Sequence, residues 1–280
     1  MRAHRTLTHR TLMVSAILAL ALLAPASAIA SKRLVIAGST SMLPLVEKLA
    51  TAYHKAYPRI AKPKVEGGQT DIGIDDVHSG RADIGDASRD PMVGVDPPGL
   101  VFTKVARDGV CVITNEANPL PNLTQETIQG IFTGDIRDWS DVPQSSLTGP
   151  IDLFDREAVS GTQDAFQNIF LGESLKISLS ASQENSEGSE VNAVGADKSA
   201  IGFTSFAATL NGGVHTVDYQ GIPCTLANAK SGQYGGVRNF WMVTKKVGTS
   251  PEAIKFIDWV TKPGNLTVRK IVNSEWIAIH

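Results

Sequence analysis

The chain has 280 residues, 42% of them hydrophobic, with 26 Lys and Arg against 28 Asp and Glu for a formal charge of −2. That balance excludes a nucleic-acid binder working through a basic field, and it leaves any bound anion to be held by local donors. Aromatic residues make up only 6%, too few for a sugar-stacking platform, so Trp139, Trp241, Trp259 and Trp276 read as core or hinge residues.

Arg2, Arg5 and Arg10, the apolar run 12–23 and the small-residue site Ala26-Ser27-Ala28 read as a signal peptide over residues 1–28, with Ala30 as an alternative cleavage point. The run is shorter than the roughly 20 apolar residues of a membrane span. With no arginine pair, general secretion is expected rather than the twin-arginine route. The expected location is the periplasm, where the mature chain of about 250 residues has room for one large or two small lobes. Loss of three arginines takes its charge to about −5.

From there, short β-branched runs alternate with helical patterns, which predicts an α/β fold with largely parallel strands. Residues 33–37 read as a strand, and 42–57 as a helix with Leu45, Leu49, Ala52 and Ala56 on one face, ended by Pro58. A strand at 64–65 precedes a helix through Ile74 and Val77. A strand at 82–85 runs into Asp86-Ala87-Ser88-Arg89 as its outgoing loop. Strands at 110–114 and 151–154 flank a capped helix at 124–132. A helix at 191–196 and strands at 200–203 and 240–244 follow. The closing helix, 250–260, starts on a Ser250 cap with Pro251 at the first helical position. The stretch 212–236 reads as loop-rich. Cys111 and Cys224 either pair, which in an oxidising compartment stabilises by about 5 kcal/mol in the chain-entropy model, or leave Cys111 as a buried thiol in the apolar run 109–113. The sequence leaves both open.

Three strand-to-helix turns carry the chemistry. Arg156 precedes Ser160-Gly161-Thr162 and a helical pattern over 163–170, which puts a guanidinium fork, two hydroxyls and free amides at a helix N-terminus. Gly38-Ser39-Thr40-Ser41 and Gly67-Gly68-Gln69-Thr70 offer similar donors between a strand and a helix. Each alone is an ordinary cap or turn. Together, at the carboxyl ends of strands, they predict a cradle for an oxyanion.

The order of motifs resembles the extracytoplasmic phosphate-binding proteins of phosphate ABC transporters, within the type II branch of the two-lobed solute-binding superfamily. The likeness runs through Val35-Ile-Ala-Gly-Ser-Thr-Ser41, Gly67-Gly68, Ala82-Asp-Ile-Gly85 with Ala87-Ser88-Arg89, and Asp108-Gly109-Val110. It continues through Asn122-Leu-Thr124, Ile131-Phe-Thr-Gly134, Asp138-Trp139, Arg156 with Ser160-Gly161-Thr162, and Ala200-Ile-Gly-Phe203. The resemblance implies two α/β lobes, each a mostly parallel sheet flanked by helices. Lobe I would be 29–109 plus 237–280 and lobe II 110–236, joined by crossing strands at 110–114 and 240–244. It also implies phosphate held in the cleft without cofactor or metal, by Thr40, Ser41, Thr70, Arg156, Ser160, Gly161 and Thr162. The expected partner is a membrane permease, and the protein is expected to be a monomer. Some relatives carry an aspartate where this chain has Arg89, and that carboxylate accepts the proton of hydrogen phosphate. Arg89 is expected either to contact the anion or to pair with Asp86 or Asp90, and the acceptor role passes to Asp71 or, second, Asp86, unless both are solvated carboxylates. Sulfate, molybdate, a carboxylate ligand, a sensing or surface role, and a phosphatase remain rival readings. Against an enzyme, His54, His78, His215 and His280 show no metal-ligand spacing, and Gly-x-Ser-x-Gly is absent.

Overall fold

The computed structural model describes residues 33–279 together with Met1. Apart from Met1, the expected signal peptide lies outside the described residues. In chain order the first half runs β1 (Val35–Gly38), α1 (Leu43–Ala56), β2 (Lys64–Gly67), α2 (Thr70–Ser79), β3 (Ile84–Ala87), β4 (Leu100–Asn115), β5 (Asn122–Leu123) and α3 (Gln125–Thr133). It continues with β6 (Asp152–Arg156), α4 (Gly161–Phe166), β7 (Ser182–Glu184), α5 (Glu187–Ala196), β8 (Ala200–Ser205) and α6 (Phe206–Thr209). The last elements are β9 (Val214–Thr216), β10 (Asp218–Tyr219), α7 (Leu226–Ser231), β11 (Val237–Lys245), α8 (Pro251–Thr261) and α9 (Leu266–Glu275).

One sheet path, β2-β1-β3-β11-β4-β8-β6-β7, runs through the chain, with β9 added to β4. β1 lies parallel to β2 and β3, and β6 parallel to β7 and β8. Between these trios run two antiparallel strands, β4 and β11. The 16-residue β4 serves both halves: residues 100–109 pair with β11, and residues 110–115 pair with β8 and β9. The two largest apolar clusters divide along the same line. One gathers Leu34, Leu45, Leu49, Phe240, Phe256 and Trp276; the other gathers Val112, Phe132, Trp139, Phe166, Phe170 and Phe203.

Local chemistry explains most boundaries. α8 begins on Ser250, whose Oγ accepts the Ala253 N–H, with Pro251 at the first turn. α3 begins on Thr124 and ends at Gly134 with φ +82°, a left-handed stop open to glycine. Gly38 ends β1 at φ +146°, where a Cβ would lie 2.4 Å from the Asp86 carbonyl oxygen, so only glycine lets β1 and β3 approach here.

Two expectations about elements need correction. Asp86 and Ala87 belong to β3 rather than to a loop, and the last helical segment, α9, had no counterpart in the sequence reading. The loop-rich 212–236 holds β9, β10 and α7. Cys111 and Cys224, 113 positions apart, form a disulfide that ties β4 to the approach to α7.

Candidate functional site

The three turns meet. At the end of β1, Ser39 Oγ lies 2.8 Å from Ser41 Oγ and donates to Ser88 Oγ at 2.9 Å. Ser88 Oγ is 3.3 Å from Thr70 Oγ1, which also accepts the Ser88 amide at 3.1 Å. Ser41 Oγ is 3.3 Å from Thr162 Oγ1 on α4. A row of hydroxyls thus connects the starts of α1, α2 and α4, with Ser39, Ser41, Thr70, Ser88 and Thr162 all buried. Gly161 closes the ring: a Cβ there would lie 2.4 Å from Thr70 Oγ1 and 2.7 Å from Ser88 Oγ. Ser160 caps α4, its Oγ accepting from the Thr162 and Gln163 amides, so its hydroxyl shapes the turn. Gln69, the residue before α2, sits at φ +76°, a conformation that costs a side chain about 1–3 kcal/mol and recurs where a turn must aim its donors.

Arg156 is 1% exposed. Its backbone N–H donates to Gln163 Oε1 at 3.0 Å, and Nε to the Glu184 carbonyl at 2.9 Å, which sets the plane of the guanidinium. Nη2 reaches Thr40 Oγ1 at 3.5 Å. Nη1 is buried with no hydrogen-bond partner, the nearest acid being Glu187 Oε1 at 3.7 Å. A buried guanidinium with an unused N–H is a donor waiting for an acceptor.

Two further charged residues belong here that the sequence reading missed. Glu187 opens α5 on the Ser186 capping box, and its backbone N–H donates to Thr40 Oγ1 at 3.2 Å. Its Oε1 accepts from Thr162 Oγ1 at 3.0 Å; its Oε2 accepts from Thr204 Oγ1, Ser205 N and Ser205 Oγ at 2.8, 3.0 and 2.6 Å. Burial pushes this carboxyl up, but Arg238, Arg156 and the Ser205 donors outweigh it and hold the pKa below its ordinary value. Arg238, on β11, donates from Nη1 to Thr162 Oγ1 at 2.7 Å and from Nε and Nη2 to Asp108 Oδ2 at 3.2 and 2.9 Å. Asp108 stands directly across on β4. Burial lifts its carboxyl to about 7 despite Arg238 beside it. The signal in the sequence was an arginine two residues ahead of an apolar strand, opposite Asp108-Gly109, a pattern that only strand register reveals.

Arg89 is corrected. Its Nε and Nη2 donate to Asp71 Oδ1 at 3.2 and 2.8 Å, its Nη1 and Nη2 to Asp96 at 3.2 and 2.6 Å, and Nη1 also to the Asp90 carbonyl at 3.0 Å. Asp164 of α4 adds an ion pair to Nε at 3.2 Å. Its five N–H groups are engaged by these oxygens, so it has no donor left for an anion. Asp71 is committed to Arg89, although burial raises its carboxyl. Asp86 lies in β3 with Oδ1 buried and unpartnered, and burial unopposed by any cation raises it well above the usual range.

Thr40, Ser41 and Glu187 also line an open cavity of about 570 Å³ that extends past Lys48, Glu275 and Asn211. The arrangement can strip water from a small tetrahedral anion and replace it with hydroxyls, helix-start amides and one fork. A model of the PBP superfamily domain matches residues 24–263, and the chain belongs to that family. Among curated relatives, phosphate-binding protein PstS 2 of Streptococcus agalactiae is 40% identical over 116 residues, 41% of this chain and 39% of that protein. PstS of Bacillus subtilis is 26% identical over 213 residues, covering 73% and 67%. The match thus spans well under half of the first relative's length. Among solved structures, a putative phosphate ABC transporter substrate-binding protein of Clostridium perfringens with bound phosphate superposes with a TM-score of 0.80 at 29% identity, covering 89% of this chain and all of that one. An ABC-type phosphate transport receptor of Vibrio cholerae gives 0.69 at 26% identity, covering 88% and 99%.

Proposed function

We propose that this protein captures inorganic phosphate in a cleft between two lobes and delivers it to the membrane permease of an ABC importer. The observation that carries the reading is the buried Arg156 Nη1, without a partner, beside hydroxyls contributed by Thr40, Ser41 and Thr162. The relatives named for phosphate binding, and the Clostridium structure that holds phosphate, support it. Thr40, Ser41, Thr70, Arg156, Gly161 and Thr162 are the proposed contacts, with Ser160 holding the α4 turn.

Lobe I is taken as 29–109 plus 237–280 and lobe II as 110–236, with β4 and β11 as the hinge. The proposed form is a monomer exported to the periplasm through a cleaved signal peptide and working without catalysis. Contacts bridging the two stretches support closure: the Asp71 amide donates to the Val159 carbonyl at 3.1 Å, and Gln69 Nε2 to Glu157 Oε2 at 2.5 Å. Isothermal titration of unfolded, phosphate-stripped and refolded protein tests the reading. Saturable 1:1 heat with phosphate is expected. Heat with sulfate, molybdate or a carboxylate and none with phosphate overturns it. Release of nitrophenol from a phosphate ester, lost in Ser160→Ala, would overturn the non-catalytic part alone.

A further inference from the structure

Glu187 has geometry that the donor role of the site does not use. Its Oε2 carries three hydrogen bonds, from Thr204 Oγ1, Ser205 N and Ser205 Oγ, whereas Oε1 carries one, from Thr162 Oγ1. A carboxylate oxygen has two lone pairs, and Arg238 Nη2 at 3.8 Å is too far to hydrogen-bond, so Oε1 keeps one open acceptor position. Arg156 Nη1, 3.7 Å from that oxygen, keeps an open donor. Glu187 lines the same open cavity as Thr40 and Ser41. A free acceptor and a free donor this close, both desolvated, are complementary to one solute: a tetrahedral anion that offers a negative oxygen to Nη1 and an O–H to Oε1.

We propose that Glu187 is the specificity-determining residue of the cleft, accepting the ligand's own proton and so selecting singly protonated tetrahedral anions, hydrogen phosphate and hydrogen arsenate, over fully deprotonated ones. This rests on the phosphate reading above. Sulfate in the same place turns an oxygen lone pair against the Oε1 lone pair, leaving two buried acceptors without a proton between them. The other acids considered do not offer such a position. Asp71 faces Arg89, and Asp86 Oδ1, though unpartnered, belongs to a carboxyl that burial unopposed by any cation raises well above the usual range, so it holds its own proton rather than accepting one. Glu187 also stays ionised, since Arg238 and Arg156 offset its burial.

Monofluorophosphate supplies the test, because it has the charge and shape of hydrogen phosphate with fluorine in place of the hydroxyl. Titrated at pH 8, wild-type protein is expected to bind phosphate and arsenate and to reject sulfate and monofluorophosphate. In Glu187→Gln the amide N–H meets the anion instead, and the preference for phosphate over monofluorophosphate is expected to fall by about a hundredfold or more. Wild-type protein that binds monofluorophosphate as tightly as phosphate overturns the proposal, as does a folded Glu187→Gln protein with unchanged preference. Should Glu187→Gln not fold, the crystal structure of the wild-type complex decides. A phosphate oxygen within about 2.7 Å of Glu187 Oε1 is expected; no ligand oxygen within hydrogen-bond reach sinks it. Failure of phosphate to bind wild-type protein at all would instead remove the reading on which this rests.

Discussion

Arg156 shows how one side chain becomes useful by being held short of full satisfaction. Gln163 and the Glu184 carbonyl take its backbone and Nε protons, so the fork is held in place, and Nη1 is left without a partner. Burial lowers its pKa, with Glu187 and Glu190 pulling the other way. Removing such a partner from a desolvated charge pair costs about 2–5 kcal/mol. Arg156→Ala is therefore expected to weaken phosphate binding by roughly 30-fold or more in calorimetry. Arg156→Lys, which has no planar fork, should recover only part of the loss; full recovery would mean that charge alone matters. The turns bearing Thr40, Ser41, Thr70 and Ser160-Gly161-Thr162 were legible in the sequence because glycines and hydroxyls before a helical period announce a helix start. Glu187 and Arg238 were not, since each is defined by partners more than ten residues away. Glu187 is held by Thr162, Thr204 and Ser205, and Arg238 by Asp108 and Thr162. Of the acids around Arg89 only Asp96 is near in sequence, and no local pattern brings Asp71 and Asp164 to it.

At the scale of elements, that gathering joins the start of α2 to the start of α4, with Arg89 as the shared cation. Three carboxylates around one guanidinium leave an excess of negative charge. Burial pushes the Asp164 carboxyl up to about 6, with Arg89 opposing and Asp71 and Asp96 adding to the rise. Because the folded value is raised, the folded protein holds this proton to higher pH than the unfolded chain does. The associated stability is complete below about pH 4 and lost as pH rises through about 6, a change of at most about 3 kcal/mol. Asp164→Asn has no proton to lose and keeps a carbonyl for Arg89. Its melting temperature is expected to exceed wild type by several degrees at pH 8, with the gap closing by pH 4. A difference independent of pH would show that the Asp164 charge is not the cause. Among elements, amphipathic α1 and the capped α3 and α8 could be read from the chain, whereas β4 was seen only in part. Its 110–115 end is an apolar run, but at 100–109 polar and charged residues such as Thr103, Lys104 and Arg107 interrupt it. α9 escaped because Thr267, Arg269, Lys270 and Asn273 interrupt an apolar face of Val268, Ile271 and Val272.

For the molecule as a whole, the two largest apolar clusters lie along one sheet path whose halves are joined by β4 and β11. The disulfide sits on β4 just past the crossover, where it closes a loop of 113 positions. Such a loop is worth about 5 kcal/mol through the unfolded chain. Cys111→Ser with Cys224→Ser is expected to lower the unfolding free energy by up to that amount in urea titration while phosphate affinity holds, since neither cysteine reaches the hydroxyl ring. The proposed closure has its tightest point at Gly161. An added methyl there would press on Thr70 Oγ1 and Ser88 Oγ, which can rotate, and on Thr70 Cβ at 3.0 Å, which cannot. Each core is untouched, so Gly161→Ala is expected to melt near wild type in phosphate-free buffer. The two halves would be held apart at the point where the solute must be enclosed. In small-angle scattering, wild-type protein should contract on adding phosphate, whereas Gly161→Ala should stay expanded and lose affinity by about a hundredfold, because only the closed form binds and its population falls. Equal contraction and equal affinity in the variant would mean that the α2 and α4 turns do not meet when phosphate binds, and that the enclosure is built from other contacts.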